Sequence, residues 1–539
     1  MQVALEGNPL FYVERYRSGH NGTDSKSVEL HGSVGSNPTR SATPAVSHVA
    51  HRRFFILPGL NLDAMCVPGF LLFFCGNIAM RRQCKYRQKE VLQMTISLPK
   101  GALYLIHKLE QKGEAYVVGG CVRDALRGVV PHDWDLCTSE TPQQMLELFQ
   151  DERVLKTGLK HGTVTVLLPD GAYEVTTYRV DGAYSDGRHP DRVTFTGCIT
   201  EDLARRDFTI NAMAYHPHRG LLDPFGGAQD LQDRQIRAVG DADKRFEEDS
   251  LRILRGLRFA STLRFTISPD CSASVHRNKE LLNRVSKERI QVELSKMLLG
   301  DGVKEILLAY PDIMTQIIPS IEPMIGFEQR SAYHCFDVWE HTAHAVACAA
   351  KDPIVRWTML FHNMGKPACF SEAEGVGHFY GHPAKSAAMA HDVLRDLRMD
   401  HDTIRKVVQL VELHDLPLPQ TERDVKRLLN RLGESQFCRL IEVRRADILA
   451  QTSSYRQERI AQADRALSRM QKVVEEGQCF SVGDLAVNGR DILAAGIPAG
   501  PEVGNMLHYL LELVMDQAVS NDRQCLLEEV QRKMRRIKR

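Results

Sequence analysis

Asp133-Trp134-Asp135 is a pair of carboxylates spaced to hold a metal ion. On a β-strand, residues i and i+2 point to one face, so both side chains would project together. Adjacent carboxylates repel, and a divalent cation resolves that repulsion. A cation held there can activate a hydroxyl for in-line attack on a phosphate. Upstream, Gly119-Gly120 follows a short β-type run, where glycines let the backbone approach a phosphate closely. Each feature is weak alone: most Gly-Gly pairs are only turns, and an isolated Asp-x-Asp is more often a solvated loop.

A second constellation, Glu248-Asp249-x-x-Arg252, lies in a stretch with helical spacing. Residues i and i+3 share a helix face, so Asp249 would present an acceptor beside the donor fork of Arg252. That pair matches one edge of C or A. Asp249 accepts from the exocyclic amine, and Arg252 donates to the adjacent ring nitrogen and, for C, to the carbonyl. G and U put a carbonyl where the amine is needed, and a lost or repelled buried hydrogen bond costs roughly 1–3 kcal/mol. The plainer account is a surface salt bridge. Asp207 and Asn211, four residues apart, would stand beside the ribose and the base platform. Arg205 and Arg206 carry the planar fork suited to phosphate, or are surface charges at a helix start. Arg123 and Asp124 read as structural or triphosphate-positioning groups.

The elements that must position these groups are legible around them. Residues 100–111 have helical apolar spacing and Ala115–Val118 is β-type. Residues 164–168 and 173–175 flank Asp170-Gly171, a hairpin signal. The Gly, Asp and Pro content of residues 179–191 marks a mobile loop between two strands. Residues 94–225 therefore read as an α/β region, and from about 226 nearly everything reads as helix, without an internal repeat.

Taken in order, the chain offers Gly119-Gly120-Cys121-Val122-Arg123-Asp124, Asp133-Trp134-Asp135, the run from Glu174 to Arg179, and the run from Asp202 to Ala212. Asp223-Pro224-Phe225-Gly226-Gly227, the run from Ile236 to Gly240, and the run from Arg245 to Arg252 follow. This series resembles the head of class II tRNA nucleotidyltransferases and bacterial poly(A) polymerases, of the polymerase-β-like superfamily, and covers about residue 94 to the C-terminus. The resemblance implies an α+β head, a mixed sheet with helices, followed by an all-helical neck, body and tail. It implies two Mg²⁺ ions on Asp133 and Asp135, with Glu174 as a candidate third acid. It implies nucleotide binding by Gly119, Gly120, Arg123, Arg206, Asp207, Asn211, Asp249, Arg252, Arg255 and Arg258, with Asp249 and Arg252 as a protein template for CTP and ATP. The expected reaction extends the tRNA 3′ end and releases pyrophosphate. A loop like that at 179–191 is associated in the family with adding the terminal A, which favours full CCA addition. A-only and CC-only enzymes, and a poly(A) polymerase, stay open as alternatives, as does a non-catalytic tRNA-binding protein, which intact Asp133 and Asp135 oppose.

His341, then His362-Asn363 with Gly365-Lys366, then residues 377–382 resemble an HD domain, as fused in some bacterial CCA enzymes. HD hydrolases hold divalent metals with a His, a His-Asp pair and a later Asp. Here the pair is His362-Asn363, and an uncharged amide oxygen is a much poorer ligand than carboxylate. Asp447 would be the late acid. The expectation is a degraded site with weak or no phosphohydrolase activity, in a domain kept as a spacer or for tRNA docking. An HD phosphohydrolase with a silent head is the rival that Asn363 argues against. Residues 484–491 through Asn505 also resemble CCA-enzyme tails. The basic end, residues 532–539, either touches tRNA or is a solvated terminus.

With 539 residues, 43% hydrophobic and 25% charged, the composition is that of a globular protein with several domains. A net charge of +1 excludes a polycation, so RNA would be met by a local basic face. Thirteen cysteines without a C-x-x-C pair fit a reducing cytosol and a cytoplasmic location. Residues 18–49 read as disordered. Residues 64–80 are apolar but broken by Pro68, Gly69, Gly76 and Asn77, short of the roughly 20 needed for a membrane span. Gly35-Ser36-Asn37-Pro38 is what GGTTCGAATCC encodes, and that string resembles the T-arm of a tRNA gene. The working start is therefore expected at Met94 or Met80. The expected divisions are an extension at 1–93, the head at 94–225, a neck carrying the template at 226–300, an HD-like body at 301–460 and a tail at 461–539. Oligomeric state is left open.

Overall fold

The computed structural model describes residues 95–537 except 183–191, 332–334 and 453–455. The readings for residues 1–93, for a start at Met80 or Met94, for the tip of the 179–191 loop and for the last two residues lie outside the described residues. The chain divides into Met1–Lys85 and Tyr86–Arg539, and every described residue lies in the second.

Nine short strands position the head: β1 Ala115–Val118, β2 Asp135–Thr138, β3 Arg153–Leu155, β4 Thr163–Leu168, β5 Gly171–Thr177, β6 Arg179–Asp181, β7 Val193–Phe195, β8 Ala214–His216 and β9 Gly220–Leu222. Seven of them form one mixed sheet in the order β3-β4-β5-β2-β1-β8-β9, in which β2 and β5 run parallel. β6 and β7 pair separately as the root of the 179–191 loop. The hairpin signal is realised: Leu168 pairs with Gly171, and Asp170 accepts from the Gly101 N–H at 2.8 Å, tying the turn to the first helix.

Period-two alternation gives the sheet two buried faces. Val117, Leu136, Val164, Val166 and Val175 pack on Leu105 and Leu109 of helix Lys100–Leu109 and on Met145 of helix Pro142–Leu148. Tyr116, Val118, Cys137 and Ala214 pack on Tyr178 and Leu203. Asp135 shares the second face with Cys137, and in the parallel register it lies beside Glu174. Asp133 precedes the strand, which corrects the expectation of both carboxylates on one strand face: β2 begins only at Asp135, opposite Glu174.

Beyond Gly226 the regular elements among the described residues are helices except for two small strand pairs, Gln235–Ile236 with Thr266–Ile267 and Ser371–Ala373 with Val376–His378. One apolar core runs from Phe208 to Val473, while residues 479–530 pack around a core of their own, with Ile492, Leu510 and Leu526 fully buried. The stretch carrying Asp249 and Arg252 corrects the sequence reading of one helix. Helix Ala242–Glu248 stops at Asp249, whose backbone is extended (φ −138°, ψ 101°), and helix Leu251–Leu263 begins beyond Ser250. Asp249 Oδ1 accepts from the Leu251 N–H at 3.2 Å, the local competition by which Asp favours helix ends over interiors. Among the described residues, no helix is long and apolar enough to cross a membrane.

Candidate functional site

A cavity of about 380 Å³ opens where the sheet meets the first helices of the neck. Its wall carries Gly119, Gly120, Arg123, Asp135, Arg206, Asp207, Asn211, Asp249, Arg252 and Arg255. Of the nucleotide-binding residues expected from sequence, only Arg258 is absent from that wall. It lies over the Phe259 ring at 3.8 Å and donates to Glu293 at 2.5 Å.

Gly119 adopts φ +80°, and a Cβ there would stand 2.9 Å from Arg206 Nη1, so both conformation and space call for glycine. Helix Gly120–Leu126 starts immediately after, which turns free backbone N–H groups toward the cavity. Arg205 and Arg206 stand at the end of helix Ile199–Ala204 rather than at a helix start. Buried Asp202 holds both, Arg205 at 2.8 Å and Arg206 at 3.3 Å. Arg123 donates to Asn211 Oδ1 at 2.7 Å and lies over Phe259 at 5.2 Å, and Asn211 Nδ2 donates to Asp207 at 3.1 Å. The sequence pair Asp207/Asn211 is thus brought together. With Arg205 and Arg289 on the wall as well, arginines outnumber aspartates two to one, a field suited to a triphosphate.

Asp249 and Arg252 face the same cavity, and their side chains are paired with other groups, not with each other. Arg289 donates to both Asp249 oxygens, at 3.2 and 3.0 Å. Arg252 donates to Glu248 at 2.7 Å and to the Arg205 carbonyl at 2.9 Å. The surface salt bridge weighed for this pair is not formed. Arg289, Asp202 and Phe259 were missed by sequence reading. Only Asp202 had a signal, its place three and four residues ahead of two arginines.

Asp133, Asp135 and Glu174 reach solvent, Asp133 just before β2, Asp135 at its first residue and Glu174 on the neighbouring β5, both interior strands of the sheet. Burial raises the Asp135 carboxyl above its usual range, Glu174 and Asp133 add to this, and Arg206 opposes them. Three neighbouring carboxylate side chains, offering only hard oxygen donors, fit a hard divalent cation. The three are not drawn into one tight shell: among the described residues, only His341, His362 and Asp447 place three ligand atoms within 4.8 Å of one another.

Asp207 supplies a measurable link between site and stability. Burial raises its carboxyl, but Arg255, donating at 2.8 and 2.6 Å, and Asn211 outweigh burial and hold it down at about 2. An unfolded Asp titrates near 3.9. The resulting stabilisation, about 2 kcal/mol, is complete above pH 4 and is lost as pH falls through about 2. Arg255→Ala, which strands a buried carboxylate, is expected to cost about 3–5 kcal/mol at pH 7. In urea denaturation followed at pH 5 and pH 3, the gap between the two proteins should narrow at the lower pH.

The HD-like residues also converge. His341 sits on helix Val338–Cys348, His362 closes helix Pro353–Phe361, and Asp447 projects from helix Glu422–Leu449. His341 Nε2 lies 3.0 Å from Asp447 Oδ1 and 3.3 Å from His362 Nε2. Burial lowers the His341 imidazole, while for Asp447 the ring partners outweigh burial and keep the carboxylate ionised, so His341 donates to it as a neutral ring. His362 Nδ1 donates to the Met359 carbonyl at 2.7 Å, which leaves Nε2 as an acceptor, and Asn363 Nδ2 donates to it at 2.7 Å. An amide N–H thus covers the lone pair that a metal would need.

Three family models match the chain: a Poly A polymerase head domain over residues 115–237, an RNA and SrmB-binding site of polymerase A over 264–325, and a tRNA nucleotidyltransferase domain 2 over 382–530. A CCA-adding enzyme of Levilactobacillus brevis is 34% identical over 427 residues, 79% of this chain and 96% of that protein. One of Geobacillus kaustophilus is 33% identical over 427 residues, 78% of this chain and 94% of that protein. The crystal structure of the Bacillus stearothermophilus CCA-adding enzyme in complex with CTP superposes with a TM-score of 0.61 at 27% identity, covering 81% of this chain and 98% of that one.

Proposed function

The chain belongs to the family of CCA-adding enzymes, the tRNA nucleotidyltransferases, and from that premise we propose that it extends the 3′ end of tRNA with C, C and A, using CTP and ATP. The observation that carries this reading is the shared cavity: Asp249 and Arg252, which can read a base, face the same space as Gly119, Gly120 and Arg206, which can hold a triphosphate, and as Asp135, which can hold a metal ion.

In the proposed reaction the tRNA 3′-hydroxyl oxygen attacks the α-phosphate, and the bond from that phosphorus to the bridging oxygen breaks to release pyrophosphate. Gly119 and the following helix start let backbone N–H groups meet the phosphates, and Arg123 and Arg206 neutralise them. Asp249 accepts from the base amine, for which Arg289 must yield one carboxylate oxygen. Arg252 donates beside it, held in place by Glu248. Divalent metal, taken here as two Mg²⁺ ions, would be held by Asp133 and Asp135 with Glu174 beside them, and would supply activation of the hydroxyl and charge stabilisation at phosphorus.

The β6–β7 hairpin at the root of the 179–191 loop supports full CCA addition over partial addition. Labelled CTP incorporation into tRNA trimmed of its CCA end separates this reading from a poly(A) polymerase: C addition supports it, and A tracts on any RNA with no C would overturn it. The five divisions read from sequence, and a cytoplasmic location, belong to the same proposal, the latter supported by free cysteines throughout the described residues.

For the HD-like centre we propose no hydrolytic function, on the strength of Asn363 occupying the His362 lone pair. A chain carrying Asp133→Ala and Asp135→Ala is expected to leave adenosine 2′,3′-cyclic phosphate intact when Mn²⁺ or Ni²⁺ is added. Cleavage that disappears with His362→Ala would contradict this.

A further inference from the structure

The extended backbone at Asp249 leaves its side chain outside both flanking helices, so no helix face sets where the carboxylate points. Two groups hold it. The Leu251 N–H donates to Oδ1 at 3.2 Å, and Arg289 Nη2 straddles both oxygens, 3.2 Å from Oδ1 and 3.0 Å from Oδ2. Torsion about the last carbon–carbon bond of an aspartate is broad, so one hydrogen bond alone would leave the carboxylate free to turn. Arg289 supplies the second point of attachment. Its nitrogen also offers the carboxylate an NH₂ group, the group that C and A carry on the edge Asp249 would read.

The place of Arg289 is not explained by its own helix. It is the third residue of helix Lys287–Leu298, and a cation in the first turn opposes the helix dipole. Among the described residues its guanidinium hydrogen-bonds only Asp249, and the two side chains are 23% and 19% exposed, so the pair is not a fully solvated surface bridge. One turn further on, Glu293 of the same helix accepts from Arg258 at 2.5 Å and lies 3.8 Å from Arg255. One face of this helix therefore serves the charged groups around the cavity.

We propose that Arg289 is a positioning residue that sets base choice: it fixes the Asp249 carboxylate and releases Oδ2 only to a base that brings an amine in exchange. Oδ1, still held by the Leu251 N–H and by Arg289, keeps the carboxylate plane in place while Oδ2 meets the base. C or A replaces one donor with another. U or G offers a carbonyl oxygen, which gives Oδ2 no hydrogen in return, and Asp249 cannot swing aside from it while Arg289 holds Oδ1. The proposal rests on the reading of Asp249 as the acceptor of the base amine, and adds the group that makes this acceptor rigid.

The test is a double-mutant cycle on the full-length chain: parent, Arg289→Ala, Asp249→Ala and both together, each scored by competition between labelled CTP and UTP on tRNA ending at the discriminator base. In the parent background Arg289→Ala should lower the preference for CTP roughly five- to thirtyfold, the scale of coupling between groups in direct contact. In the Asp249→Ala background it should no longer lower that preference and should raise it, because the cation that draws the carbonyl of U is gone. A group that serves only the fold would move both backgrounds alike. Arg289→Lys, which returns a donor nitrogen, should recover part of the ratio in the parent background. A preference untouched by Arg289→Ala, or a similar fall in both backgrounds, overturns the proposal. A parent chain that incorporates no C removes the nucleotidyl-transfer reading and this proposal with it, whereas C incorporation without coupling removes the role of Arg289 alone. If Arg289→Ala fails to fold, Arg289→Gln takes its place in both backgrounds and the same outcomes decide.

Discussion

Replacing both Asp133 and Asp135 with alanine is expected to slow CTP incorporation into tRNA by at least a thousandfold, with CTP still bound and the fold intact. Neither carboxylate belongs to the apolar clusters of the head, so their removal should not unfold it. Asp135 lies beside Glu174 in register, and its carboxyl is raised by burial and by neighbouring acids, which marks a place where a cation is missed. Loss of metal-borne stabilisation of about 4–5 kcal/mol in the transition state corresponds to roughly a thousandfold in rate. The arginines of the wall remain, so CTP affinity should fall far less than rate. Steady-state incorporation and equilibrium CTP binding, measured on the same preparation, give the two numbers. A fall in affinity that accounts for the whole effect would make the aspartates part of nucleotide binding instead.

Asp249→Ala is expected to alter which nucleotide is used more than how fast. Without Asp249, nothing accepts the exocyclic amine of C or A, and nothing repels the carbonyl of G or U. Arg289, which now donates to both Asp249 oxygens, becomes an unpaired cation in the cavity and attracts those carbonyls. A difference of roughly 1–3 kcal/mol corresponds to a five- to 150-fold loss in the preference for CTP over UTP. Competition between labelled CTP and UTP reads the ratio directly. An unchanged ratio, with Arg252→Ala also neutral, would remove the template role from this pair.

Much of this was legible in the sequence because the relevant spacing is local. The glycine turn and the hairpin at Asp170-Gly171 each depend on a few consecutive residues and appear where the pattern placed them, whereas only Asp135 of the Asp-x-Asp stands on a strand. The division into a strand-bearing head and a helical remainder followed from the change of apolar period from two to 3.6, and the α+β character of the head from the family resemblance. What the sequence hid is long-range or fine-grained. Arg289 lies 40 residues from Asp249 and meets it only because helix Lys287–Leu298 packs on helix Leu251–Leu263. The helix break at Asp249 was hidden by flanking segments that both have helical spacing. It matters to the mechanism, since it frees the Asp249 side chain to be set by Arg289 rather than by the helix face. Phe259 reads as one more core residue until three arginines, Arg123, Arg255 and Arg258, are seen around its ring. The Asn363 substitution was visible, but its covering of the His362 lone pair required the ring orientations.

The most direct measurement is the sequence of the added end. tRNA terminating at the discriminator base is incubated with the protein and Mg²⁺ plus CTP alone, ATP alone, or both, and the products are sequenced. The expected ends are CC with CTP alone, little or no addition with ATP alone, and CCA with both, followed by a stop. Runs of A with ATP alone, ends that stop at CC when both nucleotides are present, or no extension under any condition would each contradict addition of CCA by this chain.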